Sequence, residues 1–116
     1  MGIESNLYEK SIKILSDLIG FETISGKDNG PLIDYCDDIL KENGVSTFRV
    51  FDDNKERVNL FGTIKAKKTN GKKPIILSGH TDVVPVSKGW SADPFAATVK
   101  DDKLYGRGSC DMKGFI

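Results

Sequence analysis

Histidine is nearly missing from this chain of 116 residues, where His80 stands alone. A metal site drawn wholly from the chain therefore has one imidazole, which excludes the zinc arrangements that need two or three. Cysteine is scarce as well. Cys36 and Cys110 lie far apart and lack any zinc-like spacing, so they read as two free thiols in a reducing cytosol. Net charge is missing, because 17 Lys+Arg balance 17 Asp+Glu. No global field then draws the chain to nucleic acid or an anionic membrane. No apolar run approaches the ~20 residues of a membrane span. The first ten residues hold no basic segment followed by an apolar stretch, so no secretory signal is expected. Gly2 follows Met1, but Asn6 stands where an acylation motif has Ser or Thr. Internal repeats, low-complexity segments and linkers are absent too. What remains, 38% hydrophobic and 29% charged, is ordinary for one small globular domain in the cytoplasm.

The first elements read as helices. Leu7, Tyr8, Ile12, Leu15 and Ile19 recur at helical spacing over Asn6 to Ile19. Asn6 is placed to cap the first turn with Glu9 reaching back, and Gly20 sits just past the end. Ser25 to Gly30 has turn composition. A second helix is expected from Pro31, with Leu32, Ile33, Cys36, Ile39 and Leu40 as its buried stripe and Gly44 as its stop. Strands are expected at Val45 to Phe51 and Val58 to Lys65, joined by the polar turn Asp52 to Glu56. Lys67, Lys68, Lys72 and Lys73 surround Thr69-Asn70-Gly71, which reads as a hairpin tip. With no aromatic residue between them, these lysines form an exposed loop rather than a nucleic-acid surface. A short hairpin is expected from Ala96 to Tyr105, turning at Asp101-Asp102.

The organising stretch is Pro74 to Asp82, PIILSGHTD. Ile75, Ile76 and Leu77 suit a strand buried on both faces. His80 and Asp82 stand at its carboxyl end, where open α/β sheets gather their chemistry. Two residues apart on extended backbone, they project to the same side. Asp82 can then orient the imidazole through its other N–H or act as a further ligand. Asp111 sits among Gly106, Gly108, Ser109 and Gly114, where backbone can approach closely. Gly106-Arg107-Gly108 lacks the glycine spacing and following helix of a dinucleotide site. Trp90 and Phe95, in an irregular stretch, suit packing under a neighbour or walling a cleft.

SGHTDVVPV, GWSADPF and KLYGRGSCDMKG together resemble the signature of the co-catalytic zinc peptidases of the aminoacylase and carboxypeptidase type. The likeness runs nearly end to end. It implies an α/β fold, the N-terminal part of a zinc-exopeptidase-like three-layer α/β/α catalytic domain with a mixed sheet. It implies that His80 ligates one of two zinc ions and that Asp111 bridges both. Asp82 is the implied catalytic-site carboxylate that orients His80, and the peptide bond after Asp111 is implied to be cis. Cobalt or manganese can replace zinc at such ligands. Within the family, LIGFETIS, NLFGTI and the cysteine of GRGSCDMKGF resemble members that release acetate from N-acetyl-ornithine in arginine biosynthesis. A succinyl-diaminopimelate, dipeptide or other N-acyl amino acid hydrolase is the runner-up. The implied partners are a small N-acyl amino acid substrate and, for the full-length chain, a second copy in a homodimer, with no nucleic acid and no membrane.

The same resemblance implies parts that this sequence does not contain. They are a Glu-Glu pair supplying the general base and a ligand, a further carboxylate, a late histidine and an inserted dimerisation domain. Residues 1–116 are accordingly expected to be the N-terminal portion of the catalytic domain, inactive alone. The alternative of another class is a short non-catalytic module that binds a partner or a single metal.

Overall fold

In the computed structural model, which describes residues 2–68 and 70–116 and side chains from Asn6 onward, the chain divides into two units. One is Met1–Gly26 with Gly79–Ile116, and the other is Lys27–Ser78. The elements are helices and antiparallel strands together, an α/β composition.

The first unit begins with α1, Gly2–Gly20. The helix starts before Asn6, so Asn6 is an exposed residue within it rather than its cap. The expected stripe is buried only toward its end. Leu7 and Tyr8 are exposed, Ile12 and Leu15 half-buried, and Leu18 and Ile19 fully enclosed. After Phe21 the backbone turns to pair in parallel with a distant segment. Val83 donates its N–H to the Thr23 carbonyl at 2.9 Å, and Ser25 donates to the Val83 carbonyl at 3.0 Å. The hairpin β3 (Thr98–Lys100) and β4 (Lys103–Tyr105) turns at Asp101 and Asp102, both at positive φ (51° and 55°). That is the two-residue turn whose twist matches antiparallel strands.

Lys113 closes this unit. Its side chain is 1% exposed, and its Nζ donates to the carbonyls of Leu18 (2.7 Å) and Phe21 (2.6 Å) at the end of α1. A cation there satisfies carbonyls the helix itself leaves open. Burial lowers the pKa of this amine to about 8.

The second unit is α2 (Gly30–Glu42) with the hairpin β1 (Ser46–Phe51) and β2 (Val58–Thr63). Pro31 lies in the first turn of α2 as expected. Asn29 precedes it without capping it, because its amide pairs with the Val58 backbone in both directions at 2.9 Å. At the other end Gly44 takes φ +74°. Gly44 donates to the Lys41 carbonyl and Val45 to the Leu40 carbonyl, the paired bonds of a glycine-terminated helix. β1 and β2 pair antiparallel with Phe48 opposite Phe61 and Phe51 opposite Val58. Leu32, Ile33 and Val58 are the buried apolar residues here, while Cys36, Ile39 and Leu40 are half-buried.

Asp37 is the residue the expected stripe omitted. It is 2% exposed on α2 and accepts from Thr47 (2.6 Å), Lys41 (2.9 Å) and the Arg49 guanidinium (2.9 and 2.5 Å). Thr47 and Arg49 must point at it, so period-two alternation sends Phe48 and Val50 outward. The two phenylalanine rings stack in the open, with centroids 4.7 Å apart and planes 4° from parallel.

The expectation of a buried strand at Ile75, Ile76 and Leu77 is corrected. These residues form no strand, and they are 90%, 83% and 81% exposed. A run apolar on both faces needs a neighbour on each side, and no described strand pairs with it. The hairpin tip expected at Thr69-Asn70-Gly71 falls partly outside the described residues at Thr69, and no strand follows Gly71. The four lysines around it are exposed, as expected of a loop. No helix among the described residues is long and apolar enough to cross a membrane.

Candidate metal centre

Three segments of the first unit meet at one cleft of about 310 Å³. Ser25 comes from the return after α1, His80 and Asp82 from the extended segment that pairs with it, and Asp111 from the turns after β4. Close packing sets the third segment against the rest. Gly106 lies so near Ile19 that a β-carbon there would stand 2.7 Å from the isoleucine Cγ2, and a β-carbon on Gly108 would meet Val83 at the same distance.

His80 is the hub of the cleft. Its Nδ1 lies 3.0 Å from Asp82 Oδ1 and 3.1 Å from the Asp82 backbone carbonyl. Its Nε2 lies 3.0 Å from Asp111 Oδ1. The three residues singled out in the sequence thus come together, and the peptide bond after Asp111 is cis. Partial desolvation of the imidazole acts to lower its pKa, but the hydrogen bond to Asp111 and the Asp82 contacts outweigh it and the pKa is raised. Asp82 is held below the ordinary carboxylate range, chiefly by the hydrogen bond it accepts from Ser25.

An imidazole nitrogen and a carboxylate oxygen are both donors that zinc accepts. A separation of 3.0 Å brings their lone pairs to one place. A carboxylate on the other ring nitrogen is the arrangement that fixes a ligating histidine. The donor set therefore fits a divalent cation in kind. It does not complete a site, because no group of three or more His, Cys, Asp or Glu able to hold a metal is found among the described residues.

Arg107 completes the wall. Its guanidinium carbon stands 5.1 Å from the centroid of the Trp90 ring, and Nη2 donates weakly to the Pro85 carbonyl at 3.4 Å. Its buried Nε has no hydrogen-bond partner. Trp90 thus lies against the cation of a cleft-lining residue without itself lining the cleft, at 38% exposure. Cys110 is exposed and Cys36 half-buried, both as free thiols. Burial pushes the Cys36 thiol upward.

Ser25 and Lys113 escaped the sequence reading as site residues. Ser25 was visible only as turn composition, and Lys113 only as part of a motif. Their partners lie 57 residues and more than 90 residues away in the chain, beyond any local periodicity.

Residues 76–116 match the model of peptidase family M20/M25/M40. Over that stretch the chain is similar to this family. It is 41% identical over 111 residues to a protein of Rickettsia massiliae (strain Mtu5) named succinyl-diaminopimelate desuccinylase, covering 90% of this chain and 28% of that protein. A desuccinylase of Rickettsia bellii (strain OSU 85-389) is 42% identical over 106 residues, covering 88% and 26%. A protein of Myxococcus xanthus named acetylornithine deacetylase is 40% identical over 105 residues, covering 88% and 27%. The chain spans little more than a quarter of the length of these relatives.

Proposed function

We propose that this chain is the N-terminal portion of the catalytic domain of a zinc-dependent amidohydrolase that removes the acyl group from an N-acyl amino acid. The observation that carries the reading is the convergence of His80 and Asp82 from one segment with Asp111 from another, with complementary polarity. In it, His80 through Nε2 and Asp111 through its carboxylate would hold the metal, Asp111 as the ligand common to two ions. Asp82 keeps the proton on Nδ1 so that Nε2 presents a lone pair. A zinc or cobalt ion bound there would supply Lewis acidity toward the amide carbonyl and a water acidified to near neutrality. The chain's own residues orient that position, and Arg107, backed by Trp90, lines the cleft around it. The general base and the remaining ligands belong to other parts of the complete protein, which is proposed to act as a cytoplasmic homodimer.

Two substrates are supported by different observations. LIGFETIS, NLFGTI and GRGSCDMKGF favour N-acetyl-ornithine and the acetylornithine deacetylase activity of arginine biosynthesis. The names of the relatives, mostly desuccinylases, favour succinyl-diaminopimelate. The test is hydrolysis of both amides by the protein expressed from its complete reading frame and loaded with Zn²⁺. His80→Ala should abolish turnover. Asp82→Asn should lower metal affinity or activity by roughly 10–100-fold. Undiminished turnover by the His80→Ala protein, or turnover unaffected by a chelator, would refute the reading.

A further inference from the structure

Asp111 faces His80 without close packing around its own side chain. The side chain is 88% exposed, and residues 106–115, which carry it, form turns with neither helix nor strand. Its place must therefore come from the backbone. That backbone is tied from within, since Ser109 donates to the Gly106 carbonyl at 3.2 Å and Lys113 to the Gly108 carbonyl at 2.9 Å. A turn braced within itself still has to be fixed to its surroundings. Gly108 seats it against Val83, and Lys113 fastens its far end to α1. The remaining hold is Arg107.

Arg107 grips one loop at both ends and in the middle. Its backbone N–H donates to the Pro94 carbonyl at 2.7 Å, its Nη2 reaches the Pro85 carbonyl at 3.4 Å, and its guanidinium carbon stands 5.1 Å from the Trp90 ring centroid. Residues 85–94 have no helix or strand of their own, and they follow closely on Asp82 in the chain. Hydrogen bonding alone does not select this placement of the side chain. Nε is buried without a partner, which costs free energy, and the bond to Pro85 is long. The face of Trp90 remains to place the guanidinium, because its ring quadrupole attracts a cation.

We propose that Arg107 is a positioning residue that, stacked on Trp90 and bonded to both ends of the loop at residues 85–94, holds the turn bearing Asp111 opposite His80. Arg107 lines the cleft and Trp90 does not, so a change at Trp90 reaches the metal position by way of the arginine. The purpose of the hold rests on the metal-site reading; the clamp itself is a property of this chain.

The test uses the protein expressed from its complete reading frame, with Zn²⁺ affinity read by competition against a chromophoric chelator. Trp90→Leu removes the ring, and Arg107→Met removes the guanidinium. Each should weaken Zn²⁺ binding by roughly two- to thirtyfold, the range of a ring–cation contact. The double variant should lose no more than the larger single loss, as expected of two residues acting through one contact. Trp90→Phe keeps a ring and should keep the affinity. If Arg107→Met does not fold, Trp90→Leu against Trp90→Phe carries the test at a partly exposed position. A contact that only stabilised the fold would lower the urea midpoint of Trp90→Leu and leave the Zn²⁺ affinity of the folded protein unchanged, and that result would overturn the proposal. Losses that multiply in the double variant would do the same. Zn²⁺ binding indifferent to His80→Ala would overturn the metal-site reading and this proposal together. Binding that falls with His80→Ala but not with Trp90→Leu would overturn this proposal alone.

Discussion

A buried aspartate with three cationic or hydroxyl partners decides which face of β1 turns inward. Asp37 lies against Thr47, Lys41 and Arg49, and those contacts hold its pKa far below the ordinary value, the hydrogen bond from Thr47 first among them. The sign of the pH dependence follows. A carboxylate whose folded pKa is depressed contributes stability that is complete above its unfolded pKa of about 3.9 and is lost as pH falls through the folded value. Asp37→Asn should therefore melt below the unsubstituted chain at pH 7. The gap between the two should narrow steadily below about pH 4. A gap that stays constant from pH 7 to pH 3 would mean that the charge of Asp37 contributes nothing. Residues of this kind are hard to foresee. Spacing marked Cys36, Ile39 and Leu40 as the inner stripe of α2, and nothing in the helical period distinguishes an enclosed Asp37 from a solvated one. Ser25 was hidden for the same reason, because its partner is identified only once distant segments meet.

Elements whose boundaries are set by backbone chemistry were legible. Pro31 at the start of α2, Gly44 at its end, and the Asp101-Asp102 turn between β3 and β4 each occupy positions their residue types dictate. The run Ile75–Leu77 was misread because its composition reports the environment a segment is suited to, while its actual environment depends on neighbours. His80, Asp82 and Asp111 were legible as a set because they sit in dense motifs. Their mutual distances were not, since those depend on how β4 and the turns after it pack on α1. Gly106 is the contact point. A β-carbon at Gly106 would press on Ile19 Cγ2 at 2.7 Å and Cδ1 at 2.9 Å, and Ile19 is wholly enclosed. Gly106→Ala should destabilise the chain by about 1–3 kcal/mol through overpacking, read as a lower urea midpoint with an unchanged slope. An unshifted midpoint would show that Ile19 yields without strain.

At the scale of the whole molecule, the cleft has two well-placed donors for a metal and too few others. Zinc-finger sites with four protein ligands bind with apparent free energies of about 10–16 kcal/mol. The 116-residue chain should bind Zn²⁺ far more weakly than that and hydrolyse neither N-acetyl-ornithine nor succinyl-diaminopimelate. Calorimetric titration and an amine-release assay on the purified chain check both points. Tight one-to-one zinc binding, or metal-dependent turnover, would contradict them. The same chain leaves Ile64, Ile75, Ile76 and Leu77 more than 80% exposed, and exposed apolar groups in sequence are a liability for self-association.

The closure made by Lys113 also bears on the order in which the molecule can assemble during its synthesis. Unit Lys27–Ser78 lies in sequence between the two parts of the other unit. Its hydrogen bonds from Arg49 to Asp37 and from Asn29 to Val58 span 12 and 29 residues, so they can form as soon as that stretch leaves the ribosome. The amine that seals the end of α1 reaches across 95 residues to Leu18. Long-range contacts of this kind form late and slowly. The cleft of His80 and Asp111 thus needs the end of these 116 residues before it can take shape, and a nascent chain stalled before Lys113 emerges would hold a finished helix–hairpin unit and an open site.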